Sequence, residues 1–275
     1  MTKRRKIAIC FYGITRSLGF TADSILGNII APARDLAEVK IFGHFYRMRR
    51  IDNPRSGEMG VAVGEEYHLL PIDGLETEEP GACLSTYPFR EIREWGDWWG
   101  DDYRSLTNLI HQLHSLKMVH EASRAFGADV TIFARPDLLY YDTLHPALQR
   151  ALNADADLVQ VPRWQPFGGL NDRFAVTSGT VAAEAVATRV DLALGYCKER
   201  RAPLHSEQLL AYAVAARNLP VGLHSLRAGR VRANGARAKE IFDHRLRGRI
   251  AGNVRFHLQR GLDAMGLGLK MKRDQ

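Results

Sequence analysis

Cysteine is scarce in this chain. Cys10, Cys83 and Cys197 are the only three in 275 residues; they lie far apart and form no CxxC pair. That excludes a disulfide framework and a cysteine zinc site, and it fits a reducing compartment. Long apolar runs are missing as well. No stretch approaches the roughly 18 uninterrupted apolar residues of a membrane span. The apolar run after the basic start Met1-Thr2-Lys3-Arg4-Arg5-Lys6 is too short for a secretion signal. The expected location is the cytoplasm. There is no internal repeat and no low-complexity tract. Gly13 and Gly19 do not make G-x-G-x-x-G, and the second apolar run ends in Gly43-His44 rather than an acid. Both absences exclude the dinucleotide-binding fingerprint.

The composition that remains is that of a globular domain with a sizeable core, 45% hydrophobic and 25% charged. The formal net charge of +7 and a pI of about 9.4 favour an anionic partner, whether a phosphorylated small molecule, nucleic acid or an anionic membrane surface. Basic residues are spread along the chain without a helix-turn-helix, RNA-binding or zinc-finger signature, so nucleic acid is not expected.

Apolar runs alternate in type along the chain. "KIAICFYG" (6–13) and "EVKIFGHFY" (38–46) read as buried strands, separated by a helix over 21–37. Residues 47–104 read as irregular connection with short strands, rich in Pro, Gly and acids and ending in the aromatic "EWGDWWGDDY". Leu106, Leu109, Ile110, Leu113, Leu116 and Val119 then hold one face of a long helix. "VTIFA" (130–134) is a strand, and so is 157–164. One helix is expected over 180–197 and another over 205–218, with short closing strands in "LPVGLHSL" and "RVRAN". Strand–helix–strand alternation of this kind points to an α/β layered domain with a parallel sheet.

The most informative stretch is "TIFARPDLLYYD" (131–142), where a buried strand ends in Arg135-Pro136-Asp137. Open α/β sheets place their ligands at the carboxyl ends of strands. Pro136 stiffens the turn. Asp137 offers a carboxylate for a divalent cation, which needs only one or two protein carboxylates when phosphates and water complete its shell. Arg135 offers a fork to phosphate oxygens. An ordinary surface turn, with the two side chains paired, would read the same way.

Taken in order, "ICFYGITRSL", "IFGHFYR", "FARPDLLY", "GGLNDRFAVTSG" and "HSEQLLAY" resemble the bacterial glycosyltransferases of the GT-A, nucleotide-diphospho-sugar transferase type that build lipopolysaccharide and capsule. The resemblance spans about residues 6–234. It implies an α/β, GT-A-like single domain with a mostly parallel central sheet and helices on both faces, Rossmann-like in layering. It implies transfer of a sugar from a nucleotide-diphospho-sugar donor to a hydroxyl of a glycan or lipid-linked acceptor. The family's strand-end metal motif is Asp-X-Asp, and here Arg135 stands where the first carboxylate belongs. Either Asp137 alone holds manganese or magnesium, or Arg135 supplies part of the charge that neutralises the diphosphate.

The other candidate residues follow from residue type and from this resemblance. Gly13 lets the chain turn after the first strand, placing Thr15, Arg16 and Ser17 to meet phosphate or base, and His44 at the second strand's end to reach the donor pocket. Asp172, after Gly168-Gly169, is implied as a contact to sugar hydroxyls, although an Asx turn explains Asn171-Asp172 equally well. Glu207, in the first turn of its helix, is implied as catalytic base, with Asp172 its rival and plain helix initiation the bland account. His205 and His224 read as satisfied surface histidines, although the resemblance implies that a late histidine can supply a further metal ligand. His111, His114 and His120 share the long helix without the carboxylate of a zincin pattern. Trp95, Trp98 and Trp99 make either a stacking platform or anchors for a long connection.

The expected organisation is a catalytic domain over 1–235, nucleotide-binding in its first half and acceptor-binding in its second, and a basic helical extension over 236–275. In that extension Phe242, Leu246, Ile250, Val254 and Leu258 recur every fourth residue among arginines. The stripe suits docking onto the domain, or peripheral contact with the anionic inner face of the membrane. Two other functions fit the same fold: a non-catalytic binder of nucleotide sugar or glycan, and a nucleotidyltransferase.

Overall fold

A computed structural model describes residues 4–48, 50–53, 58–62 and 65–242. The strands are β1 (Lys6–Gly13), β2 (Glu38–Tyr46), β3 (Arg50–Asn53), β4 (Glu58–Ala62), β5 (Gly74–Glu78), β6 (Val130–Ala134), β7 (Leu138–Tyr140), β8 (Leu158–Pro162), β9 (Ala175–Ser178), β10 (Val221–His224) and β11 (Ala228–Arg230). Seven of them form one sheet in the order β10-β8-β9-β6-β1-β2-β5. All its pairings are parallel except those of β9, which runs against both neighbours. The fold is therefore α/β, with a mostly parallel central sheet.

Alternation along β1 decides the layers. Ile7, Ile9 and Phe11 face a core shared with α1 (Leu18–Ile25), α2 (Ala31–Leu36) and α5 (His145–Leu152). Ala8, Cys10 and Tyr12 face the other side, toward α4 (Arg104–Ser123), α6 (Thr180–Ala187) and α8 (Ser206–Ala215). Each fully buried aliphatic or phenyl side chain contributes about 1.5–3 kcal/mol, so a one-residue slip of β1 would forfeit both layers at once. All three cysteines are free and buried.

Three expectations change in detail. The helix expected over 21–37 is α1 and α2 joined by a π-helical turn, Leu26–Ile30. Pro32 has no N–H to give the carbonyl four residues back, and that carbonyl, on Asn28, accepts Leu144 N–H at 2.8 Å instead. The helix expected over 180–197 breaks after α6 and resumes as α7 (Ala193–Arg200). Thr188 Oγ1 bonds back to Glu184 O at 2.8 Å, and the Arg189 guanidinium turns onto Val186 O. In 47–104 the acidic "GLETE" becomes β5, the edge strand of the main sheet, and α3 (Phe89–Arg93) follows it. The aromatic stretch is wrapped around Asp97, whose carboxylate accepts the N–H groups of Trp99, Asp101 and Tyr103 at 3.0, 2.8 and 2.9 Å.

Of the expected extension, Phe242 packs edge-on against Trp164 at 5.1 Å and Tyr141 at 6.0 Å. The rest of the stripe, Leu246, Ile250, Val254 and Leu258, lies outside the described residues. Among the described residues no helix is long and apolar enough to cross a membrane.

Candidate active site at the carboxyl edge of the sheet

Strand order reverses at β1, which has β2 on one side and β6 on the other. The carboxyl edge at such a reversal is where an open α/β sheet leaves a crevice. Gly13 ends β1 with φ of +105°, a conformation that favours glycine. Its N–H donates to Ser115 Oγ of α4 at 2.8 Å. The chain then turns into α1. Thr15 and Ser17 are buried in that turn, with Thr15 O accepting Leu18 N–H at 3.0 Å.

The structure brings Arg16, Arg135 and Asp137 together, with Arg135 and Asp137 paired to each other rather than offered to phosphate and cation. Arg135 grips Asp137 with both arms of its fork, Nε to Oδ1 at 2.9 Å and Nη2 to Oδ2 at 2.7 Å. Arg16 Nη2 stands 3.5 Å from Asp137 Oδ2. Asp137 is buried, which opposes its charge, but Arg135 and Arg16 outweigh this and hold its pKa well below the usual carboxylate range. Two further arginines arrive from far along the chain. β11 pairs antiparallel with β7, setting Arg230 opposite Leu138, and Val231 N–H donates to Asp137 O at 2.8 Å. That return carries Arg232 to within 3.7 Å of Glu58, the buried first residue of β4, which Arg16 also meets at 3.3 Å. Arg16 Nε, Ser17 Oγ and Arg230 Nε lack a hydrogen-bond partner among the described residues. Burial and the neighbouring Arg173 and Arg135 charges lower Arg230 to about 10.

Asp172 and Glu207 form the second half of the site. Gly169 permits it: a Cβ there would meet Glu207 O at 2.0 Å, so only glycine lets the 166–172 loop lie on the first turn of α8. Leu170 N–H donates to Glu207 O at 2.9 Å. The Asx turn belongs to Asn171, whose Oδ1 accepts Arg173 N–H at 2.9 Å, which leaves the Asp172 carboxylate for the site. It accepts Ser206 Oγ–H, and Gln112 Nε2 lies 3.5 Å away. Gln112 also accepts Arg135 Nη1 at 2.7 Å, and so couples the two halves.

The two acids titrate as a pair. Burial opposes ionisation of Asp172, but Arg173, Arg189 and the Ser206 hydroxyl lower its pKa. Burial and the Asp172 charge push Glu207 up to about 8. Arg189 is fully buried beside them, its charge sensing Tyr12, Asp172 and Glu207. His205 is no surface histidine. It lies buried with ring centroids 4.4 Å from Trp98 and 6.0 Å from Trp99, and burial lowers it to about 4. His224 is half-buried and stacks on Phe174 at 5.3 Å.

His44 takes different neighbours, sitting among Ser115, Glu78 and His114 rather than among the arginines. Arg230 and Arg232 escaped notice in the sequence, although their alternate spacing in an extended stretch puts both on one side of the chain. Glu58, Gln112 and Arg189 carried no local signal.

As arranged, Asp137 does not fit a divalent cation. Both its oxygens are taken by Arg135, and a cation would have to displace that fork and stand beside Arg16. Among the described residues the one cluster of His, Cys or acid side chains with metal-ligand spacing is His44, Glu78 and His114.

No protein-family model matches the chain, and no curated protein matches it in sequence. Among solved structures it is similar to a protein described as a glucose-1-phosphate thymidylyltransferase from Bacillus anthracis, in complex with sucrose. The alignment covers 98% of each chain at 11% identity with a TM-score of 0.36. A likeness that loose bears on neither chemistry nor substrate.

Proposed function

We propose that this chain is a glycosyltransferase moving a sugar from a nucleotide-diphosphate donor to a hydroxyl of a glycan or lipid-linked acceptor, in the synthesis of a bacterial surface polysaccharide. One juxtaposition carries the reading. The arginine group around Asp137, in which Arg16 Nε and Arg230 Nε have no hydrogen-bond partner among the described residues, is joined through Arg135 and Gln112 to the buried Asp172 carboxylate on one sheet edge. The ordered motifs that resemble the GT-A enzymes support it independently.

In this reading Arg16, Arg230 and Arg232, with Ser17 and the backbone of the 13–17 turn, receive the diphosphate. Arg135 is held by Asp137 and keeps Gln112 and the strand tip in place. Positioned cations stabilise charge that develops on a leaving phosphate without needing to reorganise. Glu207 is the base. A carboxyl with its pKa near the working pH is the efficient choice for taking the acceptor's proton. The acceptor oxygen bonds to the anomeric carbon as the bond from that carbon to the phosphate oxygen breaks. The electron pair leaves with the diphosphate, and the hydroxyl proton goes to Glu207. Asp172, held ionised by arginines and Ser206, keeps Glu207 basic and receives sugar hydroxyls. Trp98 and Trp99 flank this half and offer faces for a sugar ring.

The test is product analysis with a panel of nucleotide sugars and hydroxyl acceptors, without added magnesium or manganese. Release of nucleoside diphosphate together with glycosylated acceptor is the expected result. Pyrophosphate release would reassign the chain to nucleotidyl transfer, and a melting-temperature shift without turnover would make it a binding protein.

A further inference from the structure

We propose that His44, Glu78 and His114 form a binding site for one zinc ion, separate from the residues assigned to transfer. The three come from three elements: His44 from β2, Glu78 from the end of β5, and His114 from α4. Their ligating atoms all lie within 4.8 Å of one another. Glu78 Oε2 is 3.5 Å from His44 Nε2 and 2.9 Å from His114 Nε2. Bonds of about 2.0–2.1 Å to a tetrahedral zinc put neighbouring ligand atoms about 3.3 Å apart, so small adjustments would close the site.

The protons make the stronger argument. Ser115 Oγ lies 2.7 Å from His44 O, and only the hydroxyl can donate in that contact. Gly13 N–H donates to the same oxygen at 2.8 Å. The hydroxyl's single hydrogen is therefore used, and its 3.0 Å contact with His44 Nδ1 has to run from ring to hydroxyl. Nδ1 carries the hydrogen. A neutral imidazole, the form that ligates a metal, carries only that one hydrogen. Its Nε2 then presents a lone pair to the Glu78 carboxylate. Two acceptors face each other at 3.5 Å with no proton between them, and a cation satisfies both.

His114 is arranged in the same way. Its Nδ1 is 2.8 Å from the Tyr87 hydroxyl, which can accept Nδ1–H once Nε2 is given to a metal. Each imidazole thus has its outer nitrogen anchored by a hydroxyl and its inner nitrogen turned to the carboxylate, the outer-shell pattern of metal-binding histidines. Two imidazoles and one carboxylate are a donor set for zinc, with a fourth position left for water. The Glu78 side chain is 25% exposed and gives a path for entry. An ion here would fasten the edge strand β5 to α4, and with it the start of the connection that carries the tryptophans.

The experiment uses the full chain, stripped with a chelator and titrated with zinc chloride alone by calorimetry, with melting temperature followed in parallel. Uptake of one zinc per chain with a rise in melting temperature is expected. Glu78→Gln keeps an acceptor for His114 but removes the charge, and should lose the uptake. Ser115→Ala leaves all three ligands in place and should weaken binding about 10–100-fold. Nitrogen NMR of the stripped protein should find the His44 proton on Nδ1. Absence of stoichiometric uptake, uptake unchanged in Glu78→Gln, or a proton on His44 Nε2 would each overturn the proposal. None of these readouts depends on sugar transfer, so the zinc site and the transferase reading stand or fall separately.

Discussion

Asp137 and Glu207 sit at the same sheet edge and are both buried, yet they are driven in opposite directions. Asp137 has a two-armed guanidinium on its carboxylate and a second arginine beside it, and it stays ionised. Glu207 has a like charge, Asp172, as its strongest neighbour, and its arginines are outweighed. Burial opposes ionisation in both, so partners rather than depth decide the protonation state. One half of the site is a fixed ion pair that shapes the strand tip. The other is poised to exchange a proton near neutrality.

Replacing Glu207 breaks the contrast most directly. Glu207→Gln should lower transfer by about 10²–10⁴-fold, and circular dichroism should find the fold intact because the native group is already largely uncharged at neutral pH. The wild-type rate should climb as pH rises through about 8 and Glu207 ionises, while the variant's residual rate stays flat. A wild-type profile with no rise there would transfer the base role to Asp172.

Asp137→Asn attacks the other half. It leaves buried guanidinium groups without their counter-charge, and denaturant unfolding should register a loss of about 3–5 kcal/mol. Replacing the pair together, Arg135→Met with Asp137→Leu, should restore most of that stability but not the site.

Stability against pH sharpens the comparison further. Glu207 has a folded pKa above its unfolded value, so its contribution is full below the ordinary carboxylate range and is lost as pH rises through about 8. Asp137 behaves the other way, contributing above the ordinary carboxylate range and losing its share as pH falls. A thermal-melt series should therefore fall off at both ends, and Glu207→Gln should flatten the alkaline side alone. The smallest effect is expected from Ser206→Ala, which removes one charge-assisted hydrogen bond to Asp172 and should reduce stability by about 1.5–3 kcal/mol.

Much of this arrangement was legible in the sequence where local pattern decides it. The buried strand "VTIFA", the acid at its tip, the glycine that ends β1 and the glutamate opening α8 all follow from neighbours within a few residues. What stayed hidden depends on long-range pairing. Arg230 and Arg232 reach Asp137 only because β11 pairs with β7, and Glu58 reaches Arg16 only through the β3–β4 hairpin. The break at Thr188 turned on a side chain bonding back to the preceding turn, in a stretch whose apolar spacing continues unbroken. His44 illustrates the same limit. Its position at a strand end suggested the donor pocket, but α4 and β5 bring His114 and Glu78 to it instead.

The reversed strand β9 has a consequence for how the candidate site is divided along the chain. Because it runs against β8 and β6, the chain leaves β8 at the carboxyl edge and re-enters the sheet from that same edge. Everything between, residues 163–174, is one excursion from that edge; it carries Asp172 and is seated on the first turn of α8, while Arg16, Arg135, Arg230 and Arg232 belong to other crossings. On the function proposed above, exchanging this segment together with its seat on α8 would change the Asp172 side of the site and leave the arginine side in place.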